Sequence, residues 1–237
     1  MRSHLSPRRV AALVLAVAIA ASASAGKRPA ADEVWRAPGL DSLDLRSIAL
    51  LPVVTFDGNM EAKRLTEDQV GRAFRASGHR WLSPATSRDM LVREGGDSLL
   101  KAIARQVEKR GQVDSADAAA LSRLTHSRAL LTVRVDRIER IVPEADQSGR
   151  PSTTVELTAA LVDSTGALLW RARGVEVAEG TYQDSYQRSG VIGVKTSGLS
   201  TTPLTDGSGA PSVQETMMKM LARWTERFPR RAPAPAQ

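Results

Sequence analysis

Few residues in this 237-residue chain are placed to do chemistry, and their spacing argues against most reactions. There is no Cys, which removes thiolate catalysis, disulfides and the acylated N-terminal Cys of lipoproteins. His79 and His126 are the histidines outside the first 25 residues, and no His-x-x-x-His or Cys pair supplies metal-ligand spacing. No metal is expected. His126 with Ser122 or Ser127 would be half of a nucleophilic pair, but neither serine sits in a Gly-x-Ser-x-Gly elbow. His126 therefore reads as a surface residue ending a helix. Gly190-Val191-Ile192-Gly193-Val194-Lys195-Thr196 resembles a phosphate loop, yet it puts two residues between the glycines where four are required, and Val194 precedes Lys195. No cofactor is expected. Asp136, Glu139, Glu144 and Asp146 could pair for acid–base work, but Glu144 and Asp146 fall between Pro143 and Pro151, in a loop where carboxylates stay solvated. No catalytic residue is assigned, and the chain reads as non-enzymatic.

The elements that would position any site begin after a leader. Arg2, Arg8 and Arg9 precede an apolar run from Val10 to Ala21 and then Ala23-Ser24-Ala25, the three regions of a secretory signal peptide. Twelve such residues span about 18 Å as a helix, short of a hydrocarbon core of about 30 Å. Export to the periplasm or the medium follows, with no transmembrane segment in the mature chain. The formal charge of +7 falls to +4 when those three arginines leave. That excess favours weak attraction to an anionic membrane surface or cell-wall polymer. Export, and the lack of a concentrated basic and aromatic face, disfavour nucleic acid.

Residues 26–44 read as a flexible arm and residues 45–228 as one domain. Ser47 to Thr55 is a buried strand complicated by Pro52, which marks an edge or a bulge. Helices follow over Glu61–Ser77 and Pro84–Arg93, with a short strand at His79–Leu82 between them. Glu94–Asp97 breaks the chain before a further helix that stops at Gly111, and Asp114 caps the next, with Asp117 in its first turn. From Arg128 to Glu179 apolar residues alternate at a period of two through three antiparallel strands, the last two joined by Asp163-Ser164-Thr165-Gly166. Bulges are expected between Val135 and Ile138 and near Gly174. Aromatic residues are 4% of the chain, so the core should rest on Ala, Val, Leu and Ile. Residues 180–212 form a long Gly, Ser and Thr loop. Val213, Met217, Met220, Leu221, Trp224 and Phe228 then recur at helical spacing in a closing helix that docks on the meander. Residues 229–237 are a disordered Pro/Ala tail.

Ile48-Ala49-Leu50-Leu51-Pro52, the helix-to-strand passage from Leu124 to Val135, and Gly166-Ala167-Leu168-Leu169-Trp170 occur in an order that resembles the CsgG-like superfamily. That group holds curli-secretion-channel lipoproteins, the N-terminal domain of the Tol-system propeller protein and lipoprotein activators of peptidoglycan synthases. The resemblance implies a non-enzymatic assembly or docking role in the bacterial envelope. It carries no functional residue across, and Thr125-His126-Ser127-Arg128 replaces the Gly-Ala-Asp passage common before the third strand of that group. The fold class is thus α/β (α+β): a mixed sheet with a C-terminal three-strand meander, helices packed on it and a closing amphipathic helix. The function expected is protein–protein docking, with an envelope protein or a second copy as partner; a periplasmic hydrolase or small-ligand binder is the alternative. Contact is expected by pairing at a sheet edge or through the 180–212 loop, where Tyr182, Tyr186, Ile192, Lys195 and Leu199 are the candidate partner-binding residues. Mass spectrometry of the secreted protein should give Gly26 as the first residue; retention of residues 1–25 would overturn the leader.

Overall fold

The aliphatic alternation builds the meander, whose strands are β5 (Ala129–Ile141), β6 (Ser152–Asp163) and β7 (Leu168–Glu179). The structure is a computed structural model that describes residues 32–143, 148–182, 195–196 and 209–231. Ala129, Leu131, Val133 and Val135 of β5 share a buried face with Val155, Leu157, Ala159 and Leu161 of β6. At the β6–β7 hairpin the Asp163 carboxylate accepts the amides of Thr165 (2.8 Å) and Ala167 (3.0 Å). Gly166 closes that turn at φ 82°, and a Cβ there would lie 2.3 Å from Ser115 Cα.

Five short strands complete an eight-stranded sheet: β1 (Glu33–Arg36), β2 (Ser47–Leu50), β3 (Val54–Thr55), β4 (Arg80–Leu82) and β8 (Lys195–Thr196). The order is β1-β7-β6-β5-β2-β4, with β3 and β8 also paired to β5. β2, β3 and β4 run parallel to their neighbours and the remaining pairings are antiparallel. Helix α1 (Met60–Arg75) and α4 (Val213–Glu226) pack on one face with Ile48 and Leu50. α2 (Pro84–Arg110) and α3 (Ser115–Leu124) pack on the other with Ala49, Leu51 and Leu130. β2 is thus covered on both faces, which is why its sequence is continuously apolar.

Local chemistry sets the helix ends. Asn59, Ser83 and Ser212 cap α1, α2 and α4 by accepting the amides of Ala62 (2.8 Å), Thr86 (3.1 Å) and Glu215 (3.1 Å). The break expected at Glu94–Asp97 is a kink at Gly96, where φ is 64° and ψ −173°. Asp114 holds the N-cap position of α3 without a side-chain cap bond. Its carboxylate takes Arg110 instead, while Gln106 accepts its amide (3.1 Å) and donates to Asp117 (2.5 Å).

Several expectations are corrected. Part of the 26–44 arm is ordered: β1 pairs with β7, and Leu40 is buried in the core because its side chain finds apolar neighbours there. Pro52 lies at neither an edge nor a bulge, but in the gap between β2 and β3, where its missing amide disturbs no ladder bond. The β5 bulge falls between Val135 and Arg137, as its pattern predicts. The bulge assigned near Gly174 falls instead at Leu169, and Gly174 pairs in register with Leu157. A Cβ on Gly174 would lie 2.2 Å from Asp32 Oδ1 and 2.9 Å from Met220 Sδ, so glycine is needed there for close approach, not for a bend. The tail is pinned at its start, where Pro229 O meets His79 Nε2 (3.0 Å) and Ser77 O accepts the Arg231 amide (3.0 Å).

The core is also less aliphatic than composition implies. Phe74, Trp81, Trp170, Trp224 and Phe228 converge, with Phe74–Phe228 centroids 4.6 Å apart and Trp170–Phe228 5.1 Å apart. The edge-to-face geometry of these pairs adds electrostatic complementarity to area burial. Trp224 is fully buried against Trp170, so α4 docks on the meander. Trp224→Ala should lower stability by about 3 kcal/mol or more, read as a shift in urea midpoint; an unchanged midpoint would show that the helix is not part of the core.

Candidate functional site: the loop end and the free edge of the sheet

Of the five candidate partner-binding residues, the structure describes two. Tyr182 lies just beyond β7 and is 55% exposed. Lys195 belongs to β8, whose register sets it opposite Ile141 at the far end of β5. Both therefore sit at the same end of the meander, because Ile141 pairs with Ser152 and Ser152 with Glu179. Tyr186, Ile192 and Leu199 lie outside the described residues. The two ends of the 180–212 excursion are anchored at this place. Gly180 donates its amide to Pro151 O (2.7 Å), and on return Thr153 Oγ1 donates to Pro211 O (2.5 Å) while Arg140 reaches Ala210 O (3.4 Å).

The residues that sequence reasoning missed are those of β1. Nothing in Asp32-Glu33-Val34-Trp35-Arg36 alternates long enough to announce a strand; its pairing to β7 creates it. Ala37 donates its amide to Leu169 O (2.8 Å). By the strand's period of two, Glu33 and Trp35 aim their peptide groups at β7, while Val34 and Arg36 aim theirs outward. No strand pairs with that outer side among the described residues. Trp35 is 47% exposed, and with Glu33, Leu168, Arg171 and Arg173 it borders a cleft of about 520 Å³.

Ion pairs hold this edge. Arg223 of α4 donates to Asp32 (2.6 Å) and to Glu176 (2.8 Å), so helix, edge strand and β7 meet at one guanidinium. Its pKa is raised above the ordinary arginine value by the hydrogen bond to Asp32 and, against a desolvation that lowers it, by Glu176. Glu156 receives Arg173 (3.0 Å) and Arg137 (3.8 Å) on the sheet face that α2 and α3 leave uncovered. The hydrogen bond that Arg173 donates to Glu156 likewise raises the arginine's pKa.

The remaining candidates have structural surroundings. Asp136 accepts from Arg134 and from Thr158 Oγ1 (2.5 Å), and Glu139 faces Arg137 (3.7 Å). Glu144 and Asp146 lie outside the described residues. Ser127 Oγ bonds Thr125 Oγ1 (2.7 Å), and neither Ser122 nor Ser127 is hydrogen-bonded to His126. Among the described residues no group of three acidic or histidine side chains could hold a metal, and no helix is long and apolar enough to cross a membrane.

Among solved structures, the chain is similar to a dodecameric PelC from Paraburkholderia phytofirmans, at 19% identity over 62% of this chain and 82% of that one, with a TM-score of 0.38. It is similar to lipoprotein GNA1162 from Neisseria meningitidis, at 16% identity over 60% of this chain and 90% of that one, with a TM-score of 0.38. A third, the hypothetical protein CT253 from Chlamydia trachomatis, is 12% identical over 76% of this chain and 94% of that one, with a TM-score of 0.40. No family model and no curated protein matches.

The Arg223 latch has a measurable role. Arg223 is close to half exposed, so solvent screening limits its pairs to about 1 kcal/mol. Arg223→Ala should speed amide exchange in β1 about fivefold while leaving the global urea midpoint nearly unchanged; unaltered exchange at Trp35 and Ala37, whose amides face β7, would show that the latch does not hold the edge.

Proposed function

We propose that this chain is an exported, non-catalytic docking protein of the bacterial cell envelope that takes an extended segment of a partner protein onto the free edge of β1. The observation that carries this reading is the outward row of peptide groups at Val34 and Arg36 beside the half-exposed Trp35. An unpaired edge is a template for a further strand: main-chain bonds supply affinity, and a side chain such as Trp35 supplies a contact that discriminates. The edge strand rests on a rigid support, because β7 behind it is buried against α4 and the aromatic cluster. The leader sequence supports export.

A second reading, small-ligand binding, draws on the crevice of about 330 Å³ at the carboxyl ends of β2 and β4, lined by Leu50, Arg64, Asp68, Gly71 and Trp81. α1 leaves β2 toward one face and α2 leaves β4 toward the other, which is the arrangement that opens ligand crevices in α/β sheets. That crevice adjoins the strand farthest from β1 in the sheet, so the two readings are separable by mutation.

Docking is tested by capture from envelope extracts with wild type and two variants. Arg36→Pro deletes an outward donor without removing a bond to β7, and Trp35→Ala deletes the exposed ring. A specific partner retained by the wild type should be lost or weakened at least tenfold in both. Capture that is equal in all three, or a strictly monomeric protein that retains nothing, would overturn the reading.

A further inference from the structure

At the end of the sheet opposite the 180–212 excursion, Arg46, Arg80, Arg123 and Arg128 border an open cleft of about 810 Å³. It lies at the amino ends of β2, β4 and β5 and the carboxyl end of α3, so segments remote in sequence supply its arginines. No Asp or Glu lines it. Arg46 is paired with the exposed Asp44 (2.5 Å), but among the described residues no carboxylate pairs with Arg80, Arg123 or Arg128. Like charges gathered around one opening repel, and an anion between them would turn that repulsion into attraction.

Two details of the cleft point to a ligand rather than to a solvated basic surface. Ser122 is among the residues lining it, is 4% exposed, and has a buried hydroxyl with no hydrogen-bond partner. A buried hydroxyl without a partner is costly, and an anionic oxygen in the cleft would accept its proton. The second concerns the negative end of α3, which would ordinarily repel an anion. Ser127 donates its amide to Ser122 O (3.0 Å) and His126 donates its own to Arg123 O (3.2 Å), so those terminal carbonyls are occupied. The left-handed residue this turn requires is His126, at φ 49°, where glycine is usual. An imidazole is thereby set on the cleft's border beside the arginines.

We propose that this cleft binds the phosphate group of a phosphate ester. A planar carboxylate carries one charge and engages one guanidinium fork. A phosphate dianion turns three oxygens in diverging directions and can take several arginines and a hydroxyl at once. The volume exceeds that of a phosphate group and falls within the range of ligand pockets, leaving room for the esterified remainder. A soluble phosphate monoester and the headgroup of phosphatidic acid present the same chemistry.

The test uses the full mature chain in moderate salt. Calorimetry with inorganic phosphate and with glycerol phosphate, and with acetate at equal ionic strength, forms the soluble arm. Co-sedimentation with phosphatidic acid in phosphatidylcholine vesicles forms the lipid arm. Saturable phosphate binding is expected, weakened at least tenfold by the double change Arg80→Ala and Arg128→Ala, whose sites are exposed and leave the core intact. Ser122→Ala should weaken it about threefold without lowering the melting temperature. Binding of glycerol phosphate alone assigns a soluble ligand, and binding to vesicles that the double variant loses assigns a headgroup; either supports the site. No saturable binding in either arm, acetate bound as well as phosphate, or equal affinity in the double variant would overturn it. Its failure would leave the β1 reading untouched, because no residue is shared between the two surfaces.

Discussion

Thirteen residues of β5 must find backbone partners on both sides, and the fold is the answer to that demand. On one side β6 runs antiparallel along its whole length. On the other, three short segments share the work: β2, then β3, then β8. The segmented side explains why Pro52 is tolerated. It falls where one partner ends and the next begins, and Leu51 still donates to Leu131 O (2.9 Å) just before it. The bulge between Val135 and Arg137 lies just past the last residue that β3 pairs, and it returns Ile138 to the buried face. Parallel and antiparallel halves are thus joined in a single strand.

Once β5 is paired, the two faces of the sheet have different fates. The face of Ile48, Leu131 and Trp170 is closed by α1 and α4, and its centre is the aromatic cluster around Phe228. The other face is closed by α2 and α3 only over the β5–β2–β4 half. Toward β7 and β1 it is left to Glu156, Arg171, Arg173 and Trp35, paired or solvated as an antiparallel sheet allows. His79 stands where the first face meets the chain's end, between Leu45 O (2.5 Å) and Pro229 O (3.0 Å). Both partners are acceptors, so an imidazole with one proton satisfies one of them at a time.

Polar surfaces then arise wherever helices stop covering strand ends. The arginine cleft forms at the amino ends of β2, β4 and β5, and the small crevice at the carboxyl ends of β2 and β4. The β1 edge differs in kind, since its exposed groups are main-chain. Docking there requires that β1 stay in place without a partner, and Arg223, Asp32 and Glu176 tie it to the helix that closes the core.

The sequence by itself determined the meander, its Asp163–Gly166 turn, the covering helices and the closing Trp224 helix, because each is written in a local period or a local cap. Local signals also placed the kink near Gly96 and the β5 bulge. Only the tertiary structure decided the rest. Asp32 to Arg36 became a strand because β7 offered an edge; a sequence of four strand residues has no period long enough to declare itself. Gly174 proved to be clearance for Asp32 and Met220, which lie far from it in sequence. Five aromatic side chains scattered from Phe74 to Phe228 became one cluster, and four arginines from Arg46 to Arg128 became one cleft. Local chemistry dictates what each segment can be, and long-range packing alone decides which segments meet.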